Sequence, residues 1–185
     1  MPLTAVDAVP ALVVIDLQKG IAGLPTVHPF AGIVERTARL AHVFRERNFP
    51  VVLVNVDAMA PGRTDRPRPT FTFPPDWAEI VPELHQEPSD HVVTKQRVGA
   101  FLGTSLDDYL RKRHATQIVL AGVSTSAGVE STARSAYDLG YNVVFAIDAM
   151  TDLDADAHRF CLEKVFPRFG ETETTDRILA MLATA

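Results

Sequence analysis

The chain has 185 residues, 46% of them hydrophobic, with a formal charge of −5 and a pI near 5.6. That length suits one globular domain, expected over 1–185, with a sizeable core. The acidic balance excludes the basic footprint of a nucleic-acid surface. No run approaches the ~18 apolar residues of a membrane span, and the start MPLTAVDAVP has no basic stretch leading into an apolar one. A cytoplasmic protein with neither nucleic acid nor membrane as partner is therefore expected. The one cysteine, Cys161, cannot form an internal disulfide.

ALVVID, from Ala11 to Asp16, is a β-branched run ending in a carboxylate, followed by the loop LQKGIAGLP with its glycine and proline punctuation. Ile33, Val34, Thr37, Leu40, Ala41 and Phe44 recur at helical spacing, and that helix ends near Asn48. VVLVNV (51–56) is the second strand. From Asp57 to Pro88 the chain is rich in proline, with Arg63, Arg66 and Arg68 interleaved and then Phe71, Phe73 and Trp77. Connections of this length are usually lids, binding loops or disordered. This one is either a surface excursion with solvated arginines or a wall over the site with one arginine, Arg63 the first tested, gripping a substrate carboxylate.

HVVTK (91–95) is a third strand ending in a lysine, and Thr104 to His114 a helix with Thr104 as N-cap and Asp107 in the capping-box position. QIVLAGV (117–123) is an apolar run of the kind a central parallel strand shows. The turn Val123 to Gly128, a helix to Leu139 stopped by Gly140, and the strand NVVFAID complete a strand–turn–helix–strand unit. Asp154 to Val165 reads as a helix, GETET as a short edge strand and Thr175 to Leu182 as a last helix. Strands alternating with helices predict an α/β fold: a three-layer, doubly wound, mostly parallel sheet with helices on both faces. A right-handed crossover puts the Val123–Gly128 turn at the carboxyl edge, where open sheets of this class bind ligands and helix-start amides can hold an anion or oxyanion.

Asp16, Lys95 and this turn all fall at strand ends. If their strands are neighbours, a carboxylate, an ammonium and an amide-rich turn converge on one crevice. From spacing alone, a structural ion pair and a functional one are equally good readings. Hydroxyls at Ser124, Thr125, Ser126 and Ser131 are near, but turn and N-cap hydrogen bonding is the better reading of Thr125 and Ser126.

VVIDLQ, TKQRVGAF and LAGVSTSAGVESTARSAYDLGYNVVFAIDAMTD, in this order, resemble the isochorismatase-like hydrolases, the superfamily that includes nicotinamidases and carbamoylsarcosine amidohydrolases. The resemblance runs from Leu12 to about Thr175. It implies an Asp–Lys–Cys triad, with Asp16 and Lys95 matching the first two members, and a cis peptide at Val123–Ser124 that helps build the oxyanion hole. In the pattern GxxTxxCVxxTA the cysteine position is Gly128, and Cys161, in a different helix, reads as a core residue. Covalent chemistry through that position is lost with the thiolate.

The resemblance also implies a way to do without it. True isochorismatases have glycine there and cleave a vinyl ether by acid chemistry. Asp16 would be the general acid, Lys95 its orienting partner, and Gly128 would leave room for substrate or water. Lys95 to Phe101, with Arg97, is similar to the isochorismatase version, whereas the tyrosine those enzymes carry in the turn corresponds to Ser124. Nicotinamidase relatives bind a metal through Asp-x-His and a further His. Here AlaMetAla follows Asp57, so no metal and no cofactor is expected. The histidines, His158 among them, read as solvent-facing or capping.

The expected function is hydrolysis of a small substrate, carboxylated if the arginines and helix-start amides bind it, by non-covalent acid–base chemistry at a C–O or C–N bond. The alternative is an inactive member serving as a ligand-binding or interaction protein. A homo-oligomer is expected because relatives of this type commonly assemble.

Overall fold

The computed structural model describes residues 2–65 and 72–184. Six strands form one sheet: β1 (Pro10–Ile15), β2 (Val51–Val56), β3 (His91–Lys95), β4 (Gln117–Val123), β5 (Asn142–Thr151) and β6 (Glu171–Glu173). Their order is β3-β2-β1-β4-β5-β6 and every neighbouring pair is parallel. The predicted doubly wound α/β architecture is thus present, fully parallel in the sheet. One isolated antiparallel bridge, Gln18 to Ile80, lies outside it. β1 and β4 are buried along their whole length, which is why they read as unbroken apolar runs.

Alternation along the strands divides the core. Val13, Ile15, Val54, Leu120 and Phe145 pack on one face, together with Leu106 and Leu110 of helix α3 (Leu106–Lys112) and Val129 and Ala133 at and after the turn. Leu12, Val14, Leu53 and Val119 pack on the other, against α2 (Phe30–Glu46) and α6 (Thr175–Thr184). Successive strand side chains point to opposite faces, so two helical layers are needed to cover both.

Several local readings change. LQKGIAGLP contains a short helix, α1 (Lys19–Ala22). α3 starts after Ser105, not Thr104; the Thr104 hydroxyl still accepts the Leu106 amide at 3.2 Å, while Asp107 accepts bonds from Arg111 and Tyr141 instead of closing a capping box. The helix after the fourth strand opens with a wide turn at Thr125–Val129 before α4 (Glu130–Asp138). The helix predicted at 154–165 is α5 (Ala155–Phe160) followed by another wide turn. Asp154 is the N-cap of α5, its carboxylate accepting the Asp156 and Ala157 amides.

The second half of the long 57–88 connection is stitched to the ends of β1 and β2. The Gln18 side chain donates to the Val56 and Trp77 carbonyls at 3.0 and 2.9 Å and accepts the Val56 amide at 2.7 Å. The Trp77 indole donates to the Val56 carbonyl at 3.0 Å. The connection is therefore anchored beside the strand end that carries Asp16. Arg66, Arg68 and Phe71 lie outside the described residues.

Candidate active site

Strand order reverses between β1 and β4, and both Asp16 and the Val123–Gly128 turn sit at that switch. Gly122 makes the close approach there: its φ is +117°, and an added Cβ would stand 2.0 Å from the Ile15 carbonyl oxygen. Asp16 follows Ile15 with φ +52°, so the strand alternation breaks at this residue. The Val123–Ser124 peptide is cis.

The strands carrying Asp16 and Lys95 are not neighbours, because β2 lies between them. The long lysine stem spans the gap, and Lys95 Nζ is 2.9 Å from Asp16 Oδ2 and donates to the Arg97 carbonyl at 3.2 Å. Both residues are buried, Asp16 7% and Lys95 3% exposed. Asp16 Oδ1 is buried with no hydrogen-bond partner among the described residues. Burial pushes the Asp16 carboxyl from its ordinary 3.8 up to about 6, against the opposing pull of the Lys95 ammonium. The outcome is a carboxyl that exchanges its proton near neutral pH and has one oxygen uncommitted.

Gly128 lies over this pair. A Cβ added there would be 3.4 Å from Asp16 Oδ2 and 2.8 Å from Ile15 Cγ2. The turn is held from behind by the residues after β5. The Asp152 carboxylate accepts the Ser126 amide at 2.6 Å, and the Thr125 hydroxyl donates to the Thr151 carbonyl at 3.1 Å and contacts His158 Nδ1 at 2.8 Å. Thr125 is thus a fastening of the turn rather than an N-cap. His158 is 7% exposed, contrary to its solvent-facing reading. Neither Asp152 nor His158 stands out in sequence, because each is recognisable only by what it meets across β5.

The two arginines singled out do not touch the pair with their side chains. Arg97 Nη1 donates to the Gln96 carbonyl at 2.8 Å, and Arg97 lines a cavity of about 590 Å³ with Asp57, Thr94 and Leu102. Arg63 is exposed. Cys161 is buried and its thiol pushed up to about 12, first by burial and then by Glu130, as befits a core residue. Among the described residues no three His, Cys, Asp or Glu side chains gather as a metal site, and no helix is long and apolar enough to cross a membrane.

Residues 10–177 match the family profile described as Isochorismatase domain. An uncharacterized isochorismatase family protein of Bacillus subtilis, YwoC, is 42% identical over 177 residues, covering 91% of this chain and 92% of its own length. The ureidoacrylate amidohydrolase RutB of Variovorax paradoxus is 29% identical, with coverage of 95% and 82%. The structure of an isochorismatase family protein from Burkholderia thailandensis superposes with a TM-score of 0.93 at 41% identity, over 97% of this chain and 98% of that one. With profile, sequence and fold each spanning nearly its whole length, this chain belongs to the isochorismatase family of hydrolases.

Proposed function

We propose that the protein hydrolyses a small substrate by acid–base chemistry without a covalent enzyme intermediate, with Asp16 as the acid. The observation that carries this reading is the buried Asp16 carboxyl, raised to about 6, paired through one oxygen and open at the other. For a vinyl ether, Asp16 delivers its proton to the vinyl carbon. Water adds to the resulting oxocarbenium carbon and returns a proton to the carboxylate, and the hemiketal collapses to ketone and alcohol. Lys95 orients Asp16 and stabilises the carboxylate left once the proton has gone to the substrate. Gly128, at the position where the family pattern has its nucleophilic cysteine, leaves the space above Asp16 to substrate and water.

An acid donates only while protonated, so kcat/KM is expected to fall as pH rises through about 6. The measurement is a pH profile on whichever of isochorismate, ureidoacrylate or simple primary amides turns over. A limb that rises through the same range makes Asp16 a base and sinks the mechanism. A carboxylated substrate adds a second expectation. Arg97→Ala or Arg63→Ala should raise KM about tenfold with kcat little changed, the scale of one charge-assisted hydrogen bond. Unchanged kinetics in both variants removes the carboxylate from the proposal.

Gly128 also supports a second reading, a ligand-binding member without turnover. A Cβ at 128 would stand 2.8 Å from Ile15 Cγ2, so a nucleophile at this position would require Ile15 to shift. Binding of the same compounds with turnover of none selects this reading.

A further inference from the structure

Between β3 and α3 the chain runs from Gln96 to Ser105 without helix or strand, yet Ala100 in its middle is fully buried. A buried backbone N–H outside regular structure needs a partner from elsewhere. The Ala100 amide finds one on α4, donating to the Thr132 hydroxyl at 3.0 Å. Thr132 is fully buried too, and its hydroxyl donates to the Gly128 carbonyl at 2.7 Å. The hydroxyl has one proton and a carbonyl only accepts, so both bond directions are fixed. Threonines bonded to the carbonyl four residues back are familiar in helices. What sets Thr132 apart is that the same oxygen also accepts an amide 32 residues away in the chain.

The two segments joined in this way each carry part of the surroundings of Asp16. On one side, the Arg97 carbonyl accepts from Lys95 Nζ at 3.2 Å, and that ammonium stands 2.9 Å from Asp16 Oδ2. On the other, a Cβ at Gly128 would come within 3.4 Å of the same carboxylate oxygen. The joint is closely packed: a Cβ on Gly99 would stand 2.7 Å from Ser131 Oγ and 3.3 Å from the Ser131 carbonyl oxygen. Ala100 is also tied from its other side, its carbonyl accepting the Thr104 hydroxyl at 2.6 Å. Among the described residues no other hydrogen bond joins 96–103 to 123–139.

We infer that Thr132 is a positioning residue for the Asp16–Lys95 pair, its hydroxyl locking the segment after β3 to the Gly128 turn and so fixing where the Arg97 carbonyl holds the Lys95 ammonium. Neither Asp16 nor Lys95 is among its hydrogen-bond partners, so it acts through the Arg97–Ala100 backbone. Its consequence for turnover rests on the acid reading of Asp16; the linkage itself does not. At 2.9 Å the Lys95–Asp16 contact already has the length of a strong charge-assisted hydrogen bond, so any displacement of the ammonium weakens its pull. Lys95 is the charged group that acts on the Asp16 carboxyl, and with that pull weakened the carboxyl keeps its proton to higher pH.

The test is titration of the Asp16 carboxyl by ¹³C NMR on the full chain, which requires no substrate. Wild type is compared with Thr132→Val, which keeps the shape without the hydroxyl, and Thr132→Ser, which keeps the hydroxyl. Gly99→Ala wedges the same joint apart with Thr132 intact. Wild type should titrate at about 6. Thr132→Val and Gly99→Ala should each titrate at least about half a pH unit higher, and Thr132→Ser with the wild type. An unchanged or lowered midpoint in whichever of Thr132→Val and Gly99→Ala folds, or a Thr132→Ser variant that follows Thr132→Val, would overturn the assignment. A wild-type midpoint at the ordinary 3.8 would sink the acid reading of Asp16 instead, and the displacement between variants would still decide the role of Thr132.

Discussion

Asp16→Asn is expected to lower turnover at least ~10²-fold while leaving the protein no less stable at neutral pH. The folded carboxyl titrates at about 6 against an ordinary 3.8 because burial outweighs the attraction of Lys95. A carboxyl raised on folding is favoured protonated in the native state. Its unfavourable contribution is absent below about pH 4, develops as pH rises through that window, and is complete above about 6, where it is on the order of 3 kcal/mol. Asparagine resembles the protonated acid in shape and still accepts from Lys95, so the variant should equal or exceed the wild type in denaturant unfolding at pH 8. The two should converge at pH 4. An ion pair kept only for stability gives the opposite result, a loss of about 3–5 kcal/mol when one partner is removed. Lost activity with retained or increased stability marks a site held at the expense of the fold. Retained activity, or a large loss of stability, removes the acid from the mechanism.

Lys95→Met should cost on the order of 10²-fold in kcat/KM at the wild-type optimum, the scale of removing one buried electrostatic stabiliser. It should also move the limb on which activity falls with rising pH to higher pH. Methionine keeps most of the apolar stem that crosses behind β2 and deletes the ammonium. The Coulombic and hydrogen-bond contributions that lower the Asp16 pKa both come from Lys95, so their loss leaves desolvation unopposed and the carboxyl rises above 6. At pH 7 Asp16 is then mostly neutral, which relieves the isolated charge that truncating a buried pair would otherwise leave. The pH profile separates this from a purely structural role, which would reduce the amount of folded enzyme without displacing the limb. An unshifted limb in Lys95→Met would show that the lysine does not govern the acid.

Much of the fold was legible in the chain. The runs read at 11–16, 51–56, 91–95 and 117–123 fall on β1 to β4 to within a residue. β1, β2 and β4 are buried almost throughout and leave few polar positions to blur the pattern, whereas β3 is an edge strand with Val92 and Thr94 exposed. The spacing of Ile33 to Phe44 matches the buried face of α2 for the corresponding reason in a helix. Boundaries were less legible. β5 runs on past Asp148 to Thr151 through a register shift against β4 between Leu120 and Gly122, and such an irregularity leaves no local signature. The short helix at Lys19–Ala22 has no buried residue, so it has no apolar periodicity to read.

By itself the sequence determined the class of fold, the family motifs and the three strand ends where polar chemistry gathers, since these follow from local pattern and from residue identity at fixed spacing. Only the tertiary structure decided what those residues do to one another. Strand order put β2 between Asp16 and Lys95, and burial gave Asp16 its raised pKa. The crossing of β5 behind the turn made His158 a buried partner of Thr125 instead of a surface histidine. Periodicity reports which face of an element is apolar. Desolvation and hydrogen-bond partners depend on contacts between residues far apart in the chain, which exist only once the layers have closed.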